Sequence, residues 1–345
     1  MKAFRLLEAE RPPVLVDVPK PRAGSGQVLI KVGGAGLCHT DLALMRRTPA
    51  QWLDTPPPFT LGHEIAGWID EIGPGVVGFR VGEAVAELPL WRTDGTCAAC
   101  RRGEENLCPS YSRLMGAGVG FDGGMAEYFL TDARYVVHIG DIDPVIAAPL
   151  TDAGLTTYTA IKPALPALVP GTTAVVIGVG GLGLLAVQFL RSLCSARVIA
   201  VDGSSARTQL AKEHGADFTL EAATSNSDAV REFTSGAGAQ FVLDCVGVEA
   251  TLKTAIGSLA RGGKLTLVGA GGGLVPFGLH ELPWGAQAST SLNGGSVNLA
   301  EVIELARIGR IKVPVDRYPL SRVEDAYRDL ATGRLRGRGV CIPGT

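Results

Sequence analysis

An excess of charge of either sign is missing from this chain. Its 32 Lys and Arg face 34 Asp and Glu, a formal net charge of −2 with the two signs interspersed. A protein that tracks a phosphate backbone needs a basic face, so nucleic acid is not an expected partner. A disulfide framework is lacking as well. Seven cysteines is an odd number, and the one cluster, Cys97, Cys100 and Cys108, has a spacing that suits a metal better. A reducing, cytoplasmic location is the expectation. The amino-terminal run Met1-Lys2-Ala3-Phe4-Arg5-Leu6-Leu7-Glu8 places charges where a secretion signal needs an unbroken apolar stretch, so none is expected. Thr172 to Leu190 approaches the length of a membrane span, but its glycines indicate a buried strand and helix instead, so no membrane is expected. Repeats and low-complexity tracts are absent too, apart from the glycine cluster Gly269 to Gly273, which either a linker or a loop near a ligand would explain.

Apolar residues make up 46% of the 345, enough to bury two cores. Up to about residue 150 the chain reads as short β segments punctuated by Pro and Gly, among them Val28 to Val32, Ile65 to Ile72, Ala84 to Glu87 and Tyr128 to Leu130. From Thr173 the rhythm becomes strand then helix: Ala174 to Ile177, a helix to Leu193, Arg197 to Val201, Ser205 to His214, Asp217 to Leu220. It continues through a helix near Asp228 to Thr234, strand Phe241 to Cys245, helix Glu249 to Leu259 and strand Lys264 to Val268. That alternation predicts a parallel sheet covered by helices on both faces, hence an α/β chain with a doubly wound (Rossmann) half. Helices Leu299 to Ile308 and Val323 to Leu330 and a closing strand Val340 to Ile342 are expected to return to the first domain.

The run Gly178-Val179-Gly180-Gly181-Leu182-Gly183 follows the strand Ala174-Val175-Val176-Ile177 and opens a helix, which is the context that gives such a motif weight. Gly178 permits the tight turn, Gly180 lets the backbone approach a pyrophosphate, and Gly183 lets helix and strand pack closely. Asp202, about twenty residues on, is placed to accept hydrogen bonds from a ribose, which favours NAD over NADP. Arg207 nearby would soften that discrimination. A structural turn and a helix-capping aspartate are the competing readings.

Cys38 lies in Gly36-Leu37-Cys38-His39-Thr40-Asp41 and His63 in Leu61-Gly62-His63-Glu64. Either alone is more often core filling than a ligand. Together with the cysteine lobe, Thr151-Asp152-Ala153-Gly154-Leu155-Thr156, the glycine motif with Asp202, and Arg336-Gly337-Arg338, they resemble the zinc-dependent alcohol dehydrogenases of the medium-chain dehydrogenase/reductase superfamily along essentially the whole chain. Bacterial secondary-alcohol dehydrogenases are the nearest likeness.

The resemblance implies a mostly β, GroES-like catalytic domain over 1–152 and 289–345 and an NAD-binding Rossmann domain over 153–288. It implies a catalytic zinc on Cys38, His63 and Asp152, where many relatives carry a cysteine at the position of Asp152. Three protein ligands leave a fourth position open to substrate oxygen. Asp41 would orient His63, and Glu64 would sit close to the metal. Asp94, Cys97, Cys100 and Cys108 would hold a structural zinc, with Asp94 standing where relatives have a first cysteine. Thr40 would take the alcohol proton, His39 and Arg338 would face the cofactor pyrophosphate, and Thr156 and Leu182 would pack on the nicotinamide. Relatives often end the proton relay on a histidine five residues after the first ligand. This chain has Ala43 there.

A roomy apolar pocket for a secondary, possibly aryl-substituted alcohol or ketone is the expectation, with Ala43 and Asn293 leaving room and Trp52, Met115, Phe121, Trp284 and Leu292 as candidate walls. Primary allylic or benzylic alcohols and polyols are the alternatives, as is a non-catalytic protein binding NAD and zinc. Zinc-free reductases of the superfamily fit less well, because Cys38, His63 and Asp152 are all present. A homodimer or homotetramer is expected, with the segment around Ser289 to Gly295 extending the cofactor sheet toward a partner.

Overall fold

A computed structural model describes residues 1–46, 56–90, 93–110, 116–221, 226–276 and 278–344. The chain forms two compact units. Met1–Leu155, Asn293–Gly309 and Val313–Thr345 make the first, and Thr156–Leu292 with Arg310–Lys312 the second.

The first unit is built on a sheet of seven strands. Six run in the spatial order Val136–His138, Ala84–Glu87, Glu64–Ile72, Gln27–Gly36, Arg338–Ile342, Val315–Pro319, and Tyr128–Asp132 also pairs with Gln27–Gly36. The long strand Gln27–Gly36 is the hub, and glycines allow its close packing: a side chain at Gly34 would meet the Val145 backbone at 2.9 Å. Its far end pairs antiparallel with Arg338–Ile342, so that Gly36 and Val340, at opposite ends of the chain, become neighbours. The core joins Ile30, Val32, Ile65 and Phe129 from these strands, with Leu37 and Leu61 just beyond strand ends, to Leu320, Val323 and Tyr327 of the carboxyl-terminal segment. A second sheet, of three strands, pairs Lys2–Leu6 with Val14–Asp17 and Phe59–Thr60.

The second unit carries six parallel strands. In chain order they are Thr173–Ile177, Arg197–Asp202, Phe218–Glu221, Ala239–Asp244, Leu259–Leu267 and Gln287–Thr290, and in space they lie 3-2-1-4-5-6. That is the doubly wound order, in which the chain reverses direction beside the first strand and leaves a crevice at the carboxyl ends. Thr173–Ile177 is buried at every residue, as a strand covered by helices on both faces must be. The helix Gly181–Leu193 buries eight consecutive residues, Gly183 to Leu190, which explains why a hydropathy reading approaches membrane length there. Among the described residues no helix is long and apolar enough to cross a membrane.

Two boundaries differ from the expectation. A division at 288/289 would cut the strand Gln287–Thr290, which pairs parallel with Leu259–Leu267; the units part after Leu292 instead, and after Leu155 rather than 152. The glycine cluster is also explained. Side chains at Gly269 or Gly273 would come within 2.2 and 2.3 Å of the 246–249 backbone, so these glycines serve close packing of two loops rather than a linker.

Candidate metal centre and cofactor turn

The strand Gln27–Gly36 ends at Gly36, and Cys38 follows directly at the entry to the helix His39–Arg46. His63 immediately precedes the neighbouring strand Glu64–Ile72, and Asp152 lies between a short 3-10 turn, Ala148–Leu150, and the helix Ala153–Ile161. The three ends converge. One donor atom each from Cys38, His63 and Asp152 lies within 4.8 Å of the others, and His63 Nε2 is 3.5 Å from Asp152 Oδ2. Cys38 and His63 are buried, whereas Asp152 keeps 13% of its side chain exposed and marks the open side.

The surroundings of this trio are mostly negative. Burial alone would depress the His63 pKa, but Asp41, Asp152 and Cys38 outweigh it and lift the imidazole well above its ordinary value. A cluster that pulls a proton so strongly onto one of its own donors has charge to share with a cation. Thiolate, imidazole and carboxylate suit zinc, so the residues present fit the metal. On the far side of the ring Asp41 Oδ1 lies 3.3 Å from His63 Nδ1, which leaves Nε2 facing the cluster.

Glu64 is fully buried, and its Oε2 has no hydrogen-bond partner. Its Oε1 pairs with Arg338, whose Nη2 also donates to the Leu37 carbonyl at 2.9 Å. The Arg338 guanidinium, expected to face the cofactor pyrophosphate, is 5% exposed and serves here as counter-charge to a buried carboxylate, because Glu64 without a cation would be too costly to bury. His39 is exposed, and Thr40 is half-buried with its hydroxyl 3.6 Å from the Cys38 sulphur.

In the cysteine lobe Asp94, Cys97, Cys100 and Cys108 also bring donor atoms within 4.8 Å. Backbone N–H groups aim at the sulphurs, Cys100 at Cys97 and Asp94 at Cys108, each at 3.4 Å. Asp94 Oδ1 accepts from the Thr96 and Cys97 backbones, and these bonds hold its carboxyl well below the usual range. Its Oδ2 lies 3.4 Å from Cys108 Sγ and 3.1 Å from Ser110 Oγ, a charged oxygen aimed at the thiols, so this set too suits a zinc ion. Glu105 of the same lobe caps the helix Ser296–Arg307, taking the Ser296 N–H at 2.9 Å and its hydroxyl at 2.6 Å.

The glycine turn divides its tasks. Gly178 has φ +82°, and a side chain there would strike Val246 at 2.4 Å. At Gly183 a side chain would stand 2.0 Å from the Gly178 carbonyl, so the helix could not approach the strand. Gly180 is different: nothing lies within 4 Å, and the space belongs to whatever approaches the helix amino terminus. This fits a dinucleotide pyrophosphate. Asp202, at the end of the next strand, accepts from the Val179 and Ser204 N–H groups at 2.9 Å and has Arg207 Nη1 3.8 Å away. A carboxylate has about four acceptor positions, so these backbone bonds leave capacity for a ribose. Leu182 is half-buried in the first helical turn, and Thr156 is buried in the helix Ala153–Ile161.

One candidate wall is misplaced. Trp284 is 67% exposed, its carbonyl bonded to Gly262 N–H before the main pairing run of its strand, at the end of the sheet opposite the glycine turn. There it lines a surface cavity of about 830 Å³ with Arg261 and His280. Asn293 is buried with φ +53°, Leu292 is 51% exposed, and Phe121 is half-buried. Trp52 and Met115 lie outside the described residues. Sequence reasoning passed over Glu87 altogether. It shares a sheet face with the core residue Val85, is fully buried, and neither carboxylate oxygen has a hydrogen-bond partner among the described residues.

Residues 24–141 match the alcohol dehydrogenase GroES-like domain and residues 181–307 the zinc-binding dehydrogenase domain. The chain belongs to the zinc-dependent alcohol dehydrogenases of the medium-chain dehydrogenase/reductase superfamily. An NAD-dependent alcohol dehydrogenase of Sulfurisphaera tokodaii is 36% identical, over 99% of this chain and 100% of that one. The crystal structure of the alcohol dehydrogenase from the hyperthermophilic archaeon Aeropyrum pernix superimposes with a TM-score of 0.91 at 39% identity, covering 99% and 100% of the two chains. Acetophenone reductase from Geotrichum candidum, solved with NAD, reaches a TM-score of 0.85 at 30% identity over 99% and 96%. The dehydrogenase's cofactors are NAD and zinc.

Proposed function

We propose that this zinc-dependent dehydrogenase oxidises hydrophobic secondary alcohols, or reduces the matching ketones, with NAD, at a zinc held by Cys38, His63 and Asp152. The observation that carries the reading is the convergence of those three donors beside the Thr40 hydroxyl, with Asp152 on the accessible side. Bound there, zinc supplies Lewis acidity that lowers the pKa of an alcohol hydroxyl, and NAD is the hydride acceptor. Thr40 takes the alcohol proton on its hydroxyl oxygen and passes its own onward. Ala43, half-buried and without a titratable group, ends the chain's own part of the relay, so water carries the proton away. Asp41 holds the His63 ring in place through Nδ1, and Glu64 with Arg338 forms the buried ion pair behind it. His39, Thr156, Gly178, Gly180, Leu182, Gly183, Asp202, Arg207 and Arg338 are the residues assigned to the cofactor in this reading. Asp94, Cys97, Cys100 and Cys108 hold a second, structural zinc.

An aryl ketone is the substrate class we favour, supported by the likeness to a reductase of acetophenone. All seven cysteines are free, in keeping with a reducing cytoplasm. The strand Gln287–Thr290 pairs on one side only and is exposed at all four residues, a free edge that supports assembly with a second copy into a dimer or tetramer. The test is absorbance at the reduced-nicotinamide band on mixing the protein with NAD and a panel of alcohols, with and without a zinc chelator. NADH formed from 1-phenylethanol in preference to 2-butanol, and lost with the metal, is the expected result. Turnover that favours 2-butanol would overturn the substrate class. Turnover that survives metal removal would overturn the ligand set.

A further inference from the structure

The two metal-site residues Cys38 and His63 share one carboxylate. Asp41 Oδ2 accepts the Cys38 backbone N–H at 3.0 Å, while Oδ1 faces His63 Nδ1 at 3.3 Å. A third group reaches the same carboxylate from the other end of the chain: the Tyr327 hydroxyl donates to Asp41 Oδ2 at 3.0 Å, across 286 positions of sequence. We propose that Tyr327 is a positioning residue of the metal centre, setting the plane and charge of Asp41 and through it the placement of Cys38 and His63.

The bond stands in a setting where water cannot replace it. Asp41 is 0% and Tyr327 4% exposed. The tyrosine belongs to the helix Val323–Ala331, whose buried face joins the core of the first unit, and its ring stacks on Phe4 with centroids 5.9 Å apart. Tyr318 holds the same helix from the neighbouring strand by donating to Asp329 at 2.8 Å. The donor is therefore anchored independently of the metal. Burial, and after it the charge of Asp41, keep the phenol proton in place.

The consequence follows from hydrogen-bond geometry. Two donors on Oδ2 set the rotation of the carboxylate about its own bond, and with it the position of Oδ1, which has no hydrogen-bond partner and lies only against the imidazole. An imidazole that gives its Nδ1 proton toward a carboxylate presents Nε2 as ligand. With the phenol gone, Oδ2 keeps only the Cys38 N–H, and both the torsion and the share of charge facing His63 are released. Groups behind a ligating histidine influence metal affinity by roughly 10–100-fold.

The inference rests on the assignment of Cys38, His63 and Asp152 as the zinc ligands, and the experiment separates the two. Zinc release from the purified holoenzyme to a chromophoric chelator is followed for wild type, Tyr327→Phe, Asp41→Asn and the double variant, with Cys38→Ser identifying which zinc is the catalytic one. Tyr327→Phe keeps the ring and its packing. It is expected to speed release of the Cys38-dependent zinc by about tenfold, and to add less than twofold when Asp41 is already asparagine. Melting of the metal-free protein serves as the structural control. Unchanged release in Tyr327→Phe, or equal acceleration with and without Asp41, would overturn the role of Tyr327 while leaving the ligands standing. Full zinc content in Cys38→Ser would overturn the ligand assignment and the inference with it.

Discussion

Glu87→Leu should stabilise this protein, increasingly so as pH rises. Glu87 ends the strand Ala84–Glu87, opposite Val136, with no exposed surface and, among the described residues, no hydrogen-bond partner for either carboxylate oxygen. Burying an unpaired polar group costs about 1–3 kcal/mol in proteins, and a leucine of similar length removes that cost. Ionisation adds a second term. Burial raises the Glu87 pKa well above 4.5, so the native state keeps a proton that the unfolded chain releases. The native state then binds more protons than the unfolded one, and stability falls as pH climbs from 4.5 toward the folded value. Each pH unit in that window is worth about 1.4 kcal/mol. Urea unfolding of wild type, Glu87→Leu and Glu87→Gln at pH 5, 6, 7 and 8 reads both terms. The leucine variant should gain over wild type at every pH, with a margin that widens by about 1.4 kcal/mol per unit inside the window. The glutamine variant should share the pH trend but gain less, since its amide is still unpaired. A margin that stays flat with pH, or a leucine variant no more stable than wild type at pH 7, would refute the reasoning.

The glycine turn predicts opposite phenotypes for neighbouring substitutions. Gly180→Ala meets nothing within 4 Å and should fold normally while weakening NAD binding, measured by fluorescence titration; Gly183→Ala would drive a methyl to within 2.0 Å of the Gly178 carbonyl and should cost about 1–3 kcal/mol in urea unfolding. Asp202→Asn keeps an acceptor oxygen but loses the charge that repels a 2′-phosphate, so the ratio of kcat/KM for NAD over NADP should fall by roughly tenfold or more. Ala43→His supplies a titratable group at the end of the relay and should shift the pH profile of kcat toward lower pH; an unchanged profile would mean that proton exit through this position does not limit turnover.

Much of the cofactor unit could be read from the chain because its signals are local. The strands Thr173–Ile177 and Arg197–Asp202 and the helix Gly181–Leu193 between them are near-continuous apolar runs with glycines at the turn, and each falls within a residue or two of expectation. Elements with weak local signals escaped. The helix Ala153–Ile161 is rich in threonine, a poor helix former, and the strand Gln287–Thr290 is polar and exposed at every residue, so neither shows a period.

The cofactor turn is legible in the chain alone, because strand, glycines and helix are consecutive and each glycine answers a steric demand within its own neighbourhood. Through family resemblance the sequence also named Cys38, His63 and Asp152, although 25 and 89 residues separate them and no periodicity connects them. What stands behind those residues comes from long-range packing. Tyr327 reaches Asp41 across 286 positions and Arg338 reaches Glu64 across 274, while Glu87 is left buried with no hydrogen-bond partner among the described residues. A buried charge takes its energy from whatever atoms lie within a few ångströms, and which atoms those are is settled by how the sheet closes on the carboxyl-terminal segment.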